Sequence, residues 1–151
     1  MKHFLLWISW MVAIVAIADA QTAPPDSLSL VFDEAGRARY ALVIQTRQAS
    51  LTGICLLKST SDSIIGSVVN EFGVKAFDFV YTAKRRSVKL YNVAFFLDKW
   101  YIRKVVQNDL KYLLRSPRKE SRSRTLSGDA DGTLWLQNKR YKMSYQFKPM
   151  I

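Results

Sequence analysis

Residues 140 to 148, RYKMSYQFK, alternate strictly: Tyr141, Met143, Tyr145 and Phe147 fall on one side, and Arg140, Lys142, Ser144 and Gln146 on the other. A period of two marks a strand with one face against a core and one in water. Similar runs fill the chain from residue 28 onward. LSLVF (28–32) meets the turn signal DEAG, RYALVIQT (39–46) follows, and LTGICLLK (51–58) ends at Thr60-Ser61-Asp62. SIIGSVVNEFG (63–73) and VKAFDFVYT (74–82) are separated by a bend or bulge at Gly73, and AKRRS turns the chain into VKLYNVAFF (88–96). This regular spacing predicts an antiparallel meander. TLWLQ, entered through SGDADG, and the 140–148 run then form a closing hairpin.

Between these blocks the period changes to that of a helix. From Asp98, the expected N-cap, the apolar positions are Ile102, Val105, Val106, Leu110 and Leu113, with Arg103, Lys104, Gln107, Lys111 and Arg115 on the other side. The pattern predicts an amphipathic helix over 98–114, about 17 residues or roughly 26 Å at 1.5 Å per residue. Lys111 and Arg115 complement the negative end of its dipole, and Ser116-Pro117 stops it. A one-sided helix beside so many strands is expected to lie on the sheet. The class is α+β, mostly β, in a single domain over 28–151.

Strands 74–82 and 88–96 carry apolar side chains on both faces. Phe77, Phe79 and Tyr81 share one parity, while Val74, Ala76, Asp78 and Val80 share the other. Tyr91, Val93 and Phe95 oppose Leu90 and Phe96 in the same way. One helix covers one face. The other is then expected to need a second layer, a partner or an apolar ligand.

Composition changes this picture mainly through the address. The chain opens MKHFLLWISWMVAIVAIADAQTAPPD: Lys2, an apolar run from Phe4 to Ala18, then Ala18-Asp19-Ala20 with small residues at −3 and −1. The run is about 15 residues, short of the roughly 20 that span a bilayer as a helix. Residues 1–20 therefore read as a signal peptide cleaved after Ala20, and 21–27 as an extended lead-in. The expected localisation is the periplasm or cell envelope. Export argues against nucleic acid as a partner and leaves anionic membrane surfaces, acidic polysaccharide and acidic proteins for a chain of net charge +11. The charge concentrates in KRR (84–86) and RSPRKESRSR (115–124), which read either as solvated loops or as an anion-binding surface.

Chemistry is sparse. Removing the leader removes His3, the single histidine, and with it any Ser-His-Asp triad, Cys-His pair or His-ligated zinc in the mature chain. Cys55 is the single cysteine, so no internal disulfide forms; among Gly53, Ile54 and Leu56 it reads as a buried, inert thiol. DADG (129–132) is a turn rather than a calcium loop, because Asn138 stands where the bidentate glutamate belongs. Glu71 and Asp78 are the candidate acid–base pair, but they sit seven residues apart around a bend, a spacing that assures no proximity. No catalytic residue, metal or cofactor is expected, and the chain reads as a non-enzyme.

The order LTGICLLK, polar turn, GSVVNEFGVKAFDFVY, KLYNV and helix, over residues 45–115, resembles the periplasmic lipoprotein-carrier superfamily (the LolA and LolB proteins). The resemblance implies a curved antiparallel sheet or incomplete barrel, plugged by helices around an apolar cavity for acyl chains. This chain is shorter than a full carrier, has one clear helix, and lacks the N-terminal cysteine of an outer-membrane acceptor. The functional expectation is an exported binding protein that holds a lipid or lipidated partner in a groove between sheet and helix. Phe72, Phe77, Phe79, Tyr91, Phe95 and Trp100 are the expected lining, and Lys84, Arg85 and Arg86 the expected contacts to headgroup phosphates. The alternatives are that the aromatics only fill a core, and that the chain is a structural or protein-interaction module without a small ligand.

Overall fold

A computed structural model describes residues 28–116 and 118–150; the leader, its cleavage site and the lead-in lie outside the described residues. Five strands come first: β1 (Arg37–Gln45), β2 (Ser50–Ser59), β3 (Ser63–Asn70), β4 (Lys75–Thr82) and β5 (Ser87–Tyr91). Helix α1 (Trp100–Leu114) follows, and then β6 (Arg124–Gly128), β7 (Leu134–Asn138) and β8 (Met143–Pro149). All neighbours pair antiparallel in one curled, half-barrel sheet, ordered β5-β4-β3-β2-β1-β8-β7-β6. The first and last strands in sequence, β1 and β8, are thus central neighbours, and β5 and β6 are the two edges. The chain between those edges is α1, which lies against β5, β6 and β7.

Register puts one parity of each strand on the covered face. Tyr40 faces Cys55, Cys55 faces Val68 and Val68 faces Phe77, while Leu42 faces Phe147 and Leu136 faces Tyr145. All are buried. At Gly66 the ring of Phe79 takes the place of a side chain: a Cβ there would stand 2.1 Å from its Cζ. The glycine admits the fully buried ring of Phe79 into the sheet's curve.

Three local expectations need correction. LSLVF is not a strand: β2 and β8 already occupy both sides of β1, and the segment pairs with neither edge strand. It is tied instead through Val31 N–H, which donates to Tyr40 Oη at 2.8 Å. Gly73, at φ +79°, makes the expected bend in the β3–β4 turn, and a separate register shift falls between Val68 and Val69. The strand expected to reach Phe96 ends at Tyr91, because Asn92 adopts φ +50° and Phe95–Leu97 form a 3₁₀ turn. Strand β6 lies at the end of the basic run and was not legible, since Leu126 is its single large apolar residue.

The helix begins two residues later than expected. Asp98 does not cap it; its Oδ1 accepts from Arg103 Nε at 2.6 Å, and Lys99 occupies the N-cap without a side-chain bond. Val105, Val106, Asp109, Leu110, Leu113 and Leu114 are buried. Asp109 is fully enclosed. Its Oδ1 accepts from Arg124 Nε and Asn138 Nδ2, both at 2.8 Å, and its Oδ2 from Tyr145 Oη at 2.6 Å. One carboxylate therefore joins α1 to β6, β7 and β8. Arg118 closes the helix by donating to the carbonyls of Tyr112, Leu113 and Leu28 at 2.8–2.9 Å, and its guanidinium lies over the Tyr112 ring.

Candidate functional site

Because the helix must pass from one sheet edge to the other, its first half spans the concave face without filling it. A groove of about 580 Å³ remains there. Ile44, Leu51, Phe77 and Leu90 give the sheet side, Ile102, Val105 and Val106 the helix side, and Val93, Phe96 and Leu97 one wall. Lys99 and Arg103 stand at its rim, and Tyr141 and Met143 reach in from the β7–β8 side. Its size is that of small-molecule sites, which run roughly 300–1,000 Å³.

A second cleft, of about 750 Å³, flanks the helix on its other side, between α1, the segment before β6 and the β7–β8 turn. Its chemistry is the opposite. Lys104, Lys111, Arg115, Lys119, Arg124 and Arg140 line it against the one carboxylate of Glu120. Trp100, Lys104, Asn108, Lys111 and Arg115 are spaced by three and four, so they form one stripe along the helix. Arg124 is committed to Asp109, and Arg140 lies over the Tyr141 ring. The Nε of Arg115 is buried and makes no hydrogen bond among the described residues. Tyr101, Val105 and Tyr141 border both clefts, so the two adjoin at these residues.

The predicted lining residues scatter. Phe77 forms part of the groove floor. Phe79 packs beside it, with ring centroids 6.3 Å apart, but lies in the core over Gly66. Both point to the face that the helix covers, not to the opposite one. Phe72 is 81 % exposed in the β3–β4 turn, Phe95 is 96 % exposed, and Trp100 is 77 % exposed at the start of α1. Tyr91 sits on the outer face, paired with Asp78. The structure therefore brings together Phe77 and residues that strand parity alone did not single out: Leu51, Leu90, Phe96 and the first half of α1. Beyond Tyr91 the loop rather than strand parity sets the lining, since Val93 joins Phe96 there although alternation would place them on opposite faces.

Lys84, Arg85 and Arg86 occupy the exposed β4–β5 turn, with Arg86 at φ +49°. This is the wrong end of the hairpin for the groove: at ~3.3 Å per residue, about 16 Å of β4 separates Phe77 from the turn. The second basic run is not a uniform solvated loop either. Arg118 is buried in the helix end, Arg124 in the Asp109 cluster, and Arg115 and Lys119 face the cationic cleft.

The remaining candidates are occupied locally. Burial tends to raise the Asp78 carboxyl, but hydrogen bonds from Ser67, Asn92 and Lys75 and the charge of Lys75 outweigh it and hold Asp78 below its ordinary value. Glu71 is exposed in the neighbouring turn. Asp129 and Asp131 serve their own turn, accepting from Trp135 Nε1 and Thr133 N–H. Cys55 is enclosed, and burial pushes its thiol up to about 12. Burial, followed by the adjacent Asp109 charge, raises Tyr145 well above its ordinary value. Among the described residues no helix is long and apolar enough to cross a membrane, and no group of three or more His, Cys, Asp or Glu could hold a metal. Neither models of known protein families nor curated protein sequences match the chain.

Proposed function

We propose that this chain is an exported cell-envelope protein that binds the acyl chain of a lipid or lipidated partner between its sheet and its helix. The observation that carries the reading is the apolar groove itself: an unfilled volume of about 580 Å³ against the buried face of a half-barrel. Apolar clefts lined by a few polar groups are where small ligands sit, and a contiguous apolar surface beside Phe77, Leu90 and Val106 is a natural place for one. An acyl chain fits because the walls offer apolar surface along the groove, with the Lys99 cation and the Arg103–Asp98 ion pair beside it. The amphipathic helix serves as the groove's cover, turning Ile102, Val105 and Val106 inward. Resemblance to the lipoprotein carriers in strand order supports the same reading, as does the leader, which would deliver the protein to a compartment of lipids and lipoproteins.

The test is lipid extraction and mass spectrometry of the purified protein, beside titration with a fluorescent fatty acid. Phe96→Asp places a charge in the groove wall at a side chain that is already half exposed, so folding should be kept. Binding should fall at least tenfold while the melting curve is unchanged. A wild-type protein that takes up no acyl chain would defeat the reading.

The alternative is a protein-interaction module. It is favoured by the outer face of the sheet, where Ile54, Leu56 and Ile65 remain partly exposed on adjacent strands. A partner released by Leu56→Lys but not by Phe96→Asp would select it.

A further inference from the structure

Headgroup and chain of an amphiphile differ in chemistry, and so do the two clefts along α1. One is apolar; the other carries six cationic side chains and a single carboxylate. They meet at Tyr101, Val105 and Tyr141, which belong to both. A tyrosine at such a junction presents an apolar ring and a polar tip to the two environments.

We propose that the cationic cleft receives the phosphate-bearing headgroup of the amphiphile whose acyl chain fills the apolar groove; this rests on the acyl-binding reading above. Three features carry it. Lys104, Lys111 and Arg115 project from one helix stripe, and Lys119 faces them from the chain beyond the helix, so cations converge from two segments. Among the described residues no carboxylate forms a salt bridge with these four; the adjacent Arg124 is the one neutralised, by Asp109. The Arg115 Nε–H is buried and finds no acceptor among the described residues, so no hydrogen bond to it opposes a turn of the guanidinium toward an anion in the cleft. Phosphate suits this set better than a neutral head, because a guanidinium fork and several ammonium groups together match its multiple oxygens and charge. The site differs from the Lys84–Arg86 turn, which lies at the far end of β4 and β5 from the groove.

The experiment compares three probes on the full-length purified protein by calorimetry at low ionic strength: dodecyl phosphate, monododecanoylglycerol and inorganic phosphate. Dodecyl phosphate should bind at least tenfold tighter than the neutral monoglyceride of equal chain length, and at least tenfold tighter than inorganic phosphate. Lys111→Gln/Lys119→Gln should bring the first ratio close to one while leaving monoglyceride binding unchanged, whereas Lys84→Gln/Arg85→Gln should not alter it. If the first double variant melts lower than wild type, Lys104→Gln, at an exposed position, provides the same test with a smaller drop. The preference should also shrink as salt is raised.

Equal binding of the two amphiphiles by the wild type would overturn the headgroup assignment and leave the acyl groove standing. So would a preference that survives loss of these lysines. Inorganic phosphate binding as tightly as dodecyl phosphate would make the cleft a site for free phosphate and overturn the headgroup reading. Failure of both amphiphiles to bind would overturn the acyl reading, and this inference with it.

Discussion

The two halves of α1 are treated differently by the rest of the molecule. The second half is bound in place: Leu110, Leu113 and Leu114 are buried, Asp109 collects three side-chain donors, and Arg118 holds the final carbonyls. The first half has no side-chain cap and no acidic residue in its first turn, and it exposes Trp100 and Tyr101 to the borders of two clefts. A helix anchored at one end can offer the other to a ligand, because regions with few buried contacts open at lower free energy than the core. Stability and the proposed binding are thus separated along one element.

Breaking the anchored half should have the largest effect. Asp109→Ala leaves Arg124, Asn138 and Tyr145 without their shared acceptor, and removing one partner of a buried ion pair costs about 3–5 kcal/mol. Urea denaturation should show this loss directly. A change below about 1 kcal/mol would mean that the cluster does not anchor the helix.

Truncation on the two halves gives the next contrast. Leu110→Ala should cost about 2–5 kcal/mol, as for a buried leucine, whereas Ile102→Ala, half-buried beside the groove, should cost about 1 kcal/mol. Equal losses would indicate that the first half is packed as tightly as the second. Ile102→Ala should nevertheless weaken acyl binding, which Leu110→Ala should not do under conditions where it remains folded.

Alkaline pH probes the anchor without truncating it. Tyr145 titrates higher in the folded protein than in the unfolded chain, so its contribution is fully present below its ordinary value near pH ~10 and is lost as pH rises beyond it. Cys55 acts with the same sign, over the window from its ordinary value of 9.0 to about 12. Melting temperature should therefore fall above about pH 9–10, and Tyr145→Phe and Cys55→Ala should each flatten the decline. An unchanged slope in both variants would contradict the assignment. At pH 8 the folded Cys55 thiol should react with a thiol reagent far more slowly than a free thiol.

The smallest effect should come from repairing the loose end. Lys99→Asp supplies the missing N-cap acceptor and should stabilise by roughly 0.5–2 kcal/mol, with slower amide exchange in the first turn. It also replaces a cation at the groove rim, so a loss of affinity for an anionic amphiphile should accompany the gain.

Most of the elements were legible because their causes are local. Alternation of Tyr145 and Phe147, or of Phe77, Phe79 and Tyr81, follows from the pleat, and Val105, Val106, Leu110 and Leu113 repeat at the helical period. The stripe Trp100, Lys104, Asn108, Lys111 and Arg115 was equally available to that reasoning, but with no cleft in view its polar members look like an ordinary solvated face. Basic residues were the least legible. Arg118 and Arg124 read as loop charges, yet one closes a helix and ties it to Leu28, 90 residues away in sequence, and the other neutralises a buried aspartate 15 residues away.

Local pattern alone accounts for the cores of β1 to β5, the presence of a helix after them, the parity of these strands and the burial of Cys55. These depend on side-chain periods and on turn residues within a few positions. Tertiary structure alone decided which parity faces the helix, that LSLVF finds no ladder, and that β5 and β6 become opposite edges. That placement makes the helix cross the concave face, and the crossing leaves Phe79 in the core, Phe95 and Trp100 outside, and an apolar and a cationic cleft on either side of one helix. Strand order is fixed by how distant segments close around a shared core, a global free-energy balance that no local period encodes.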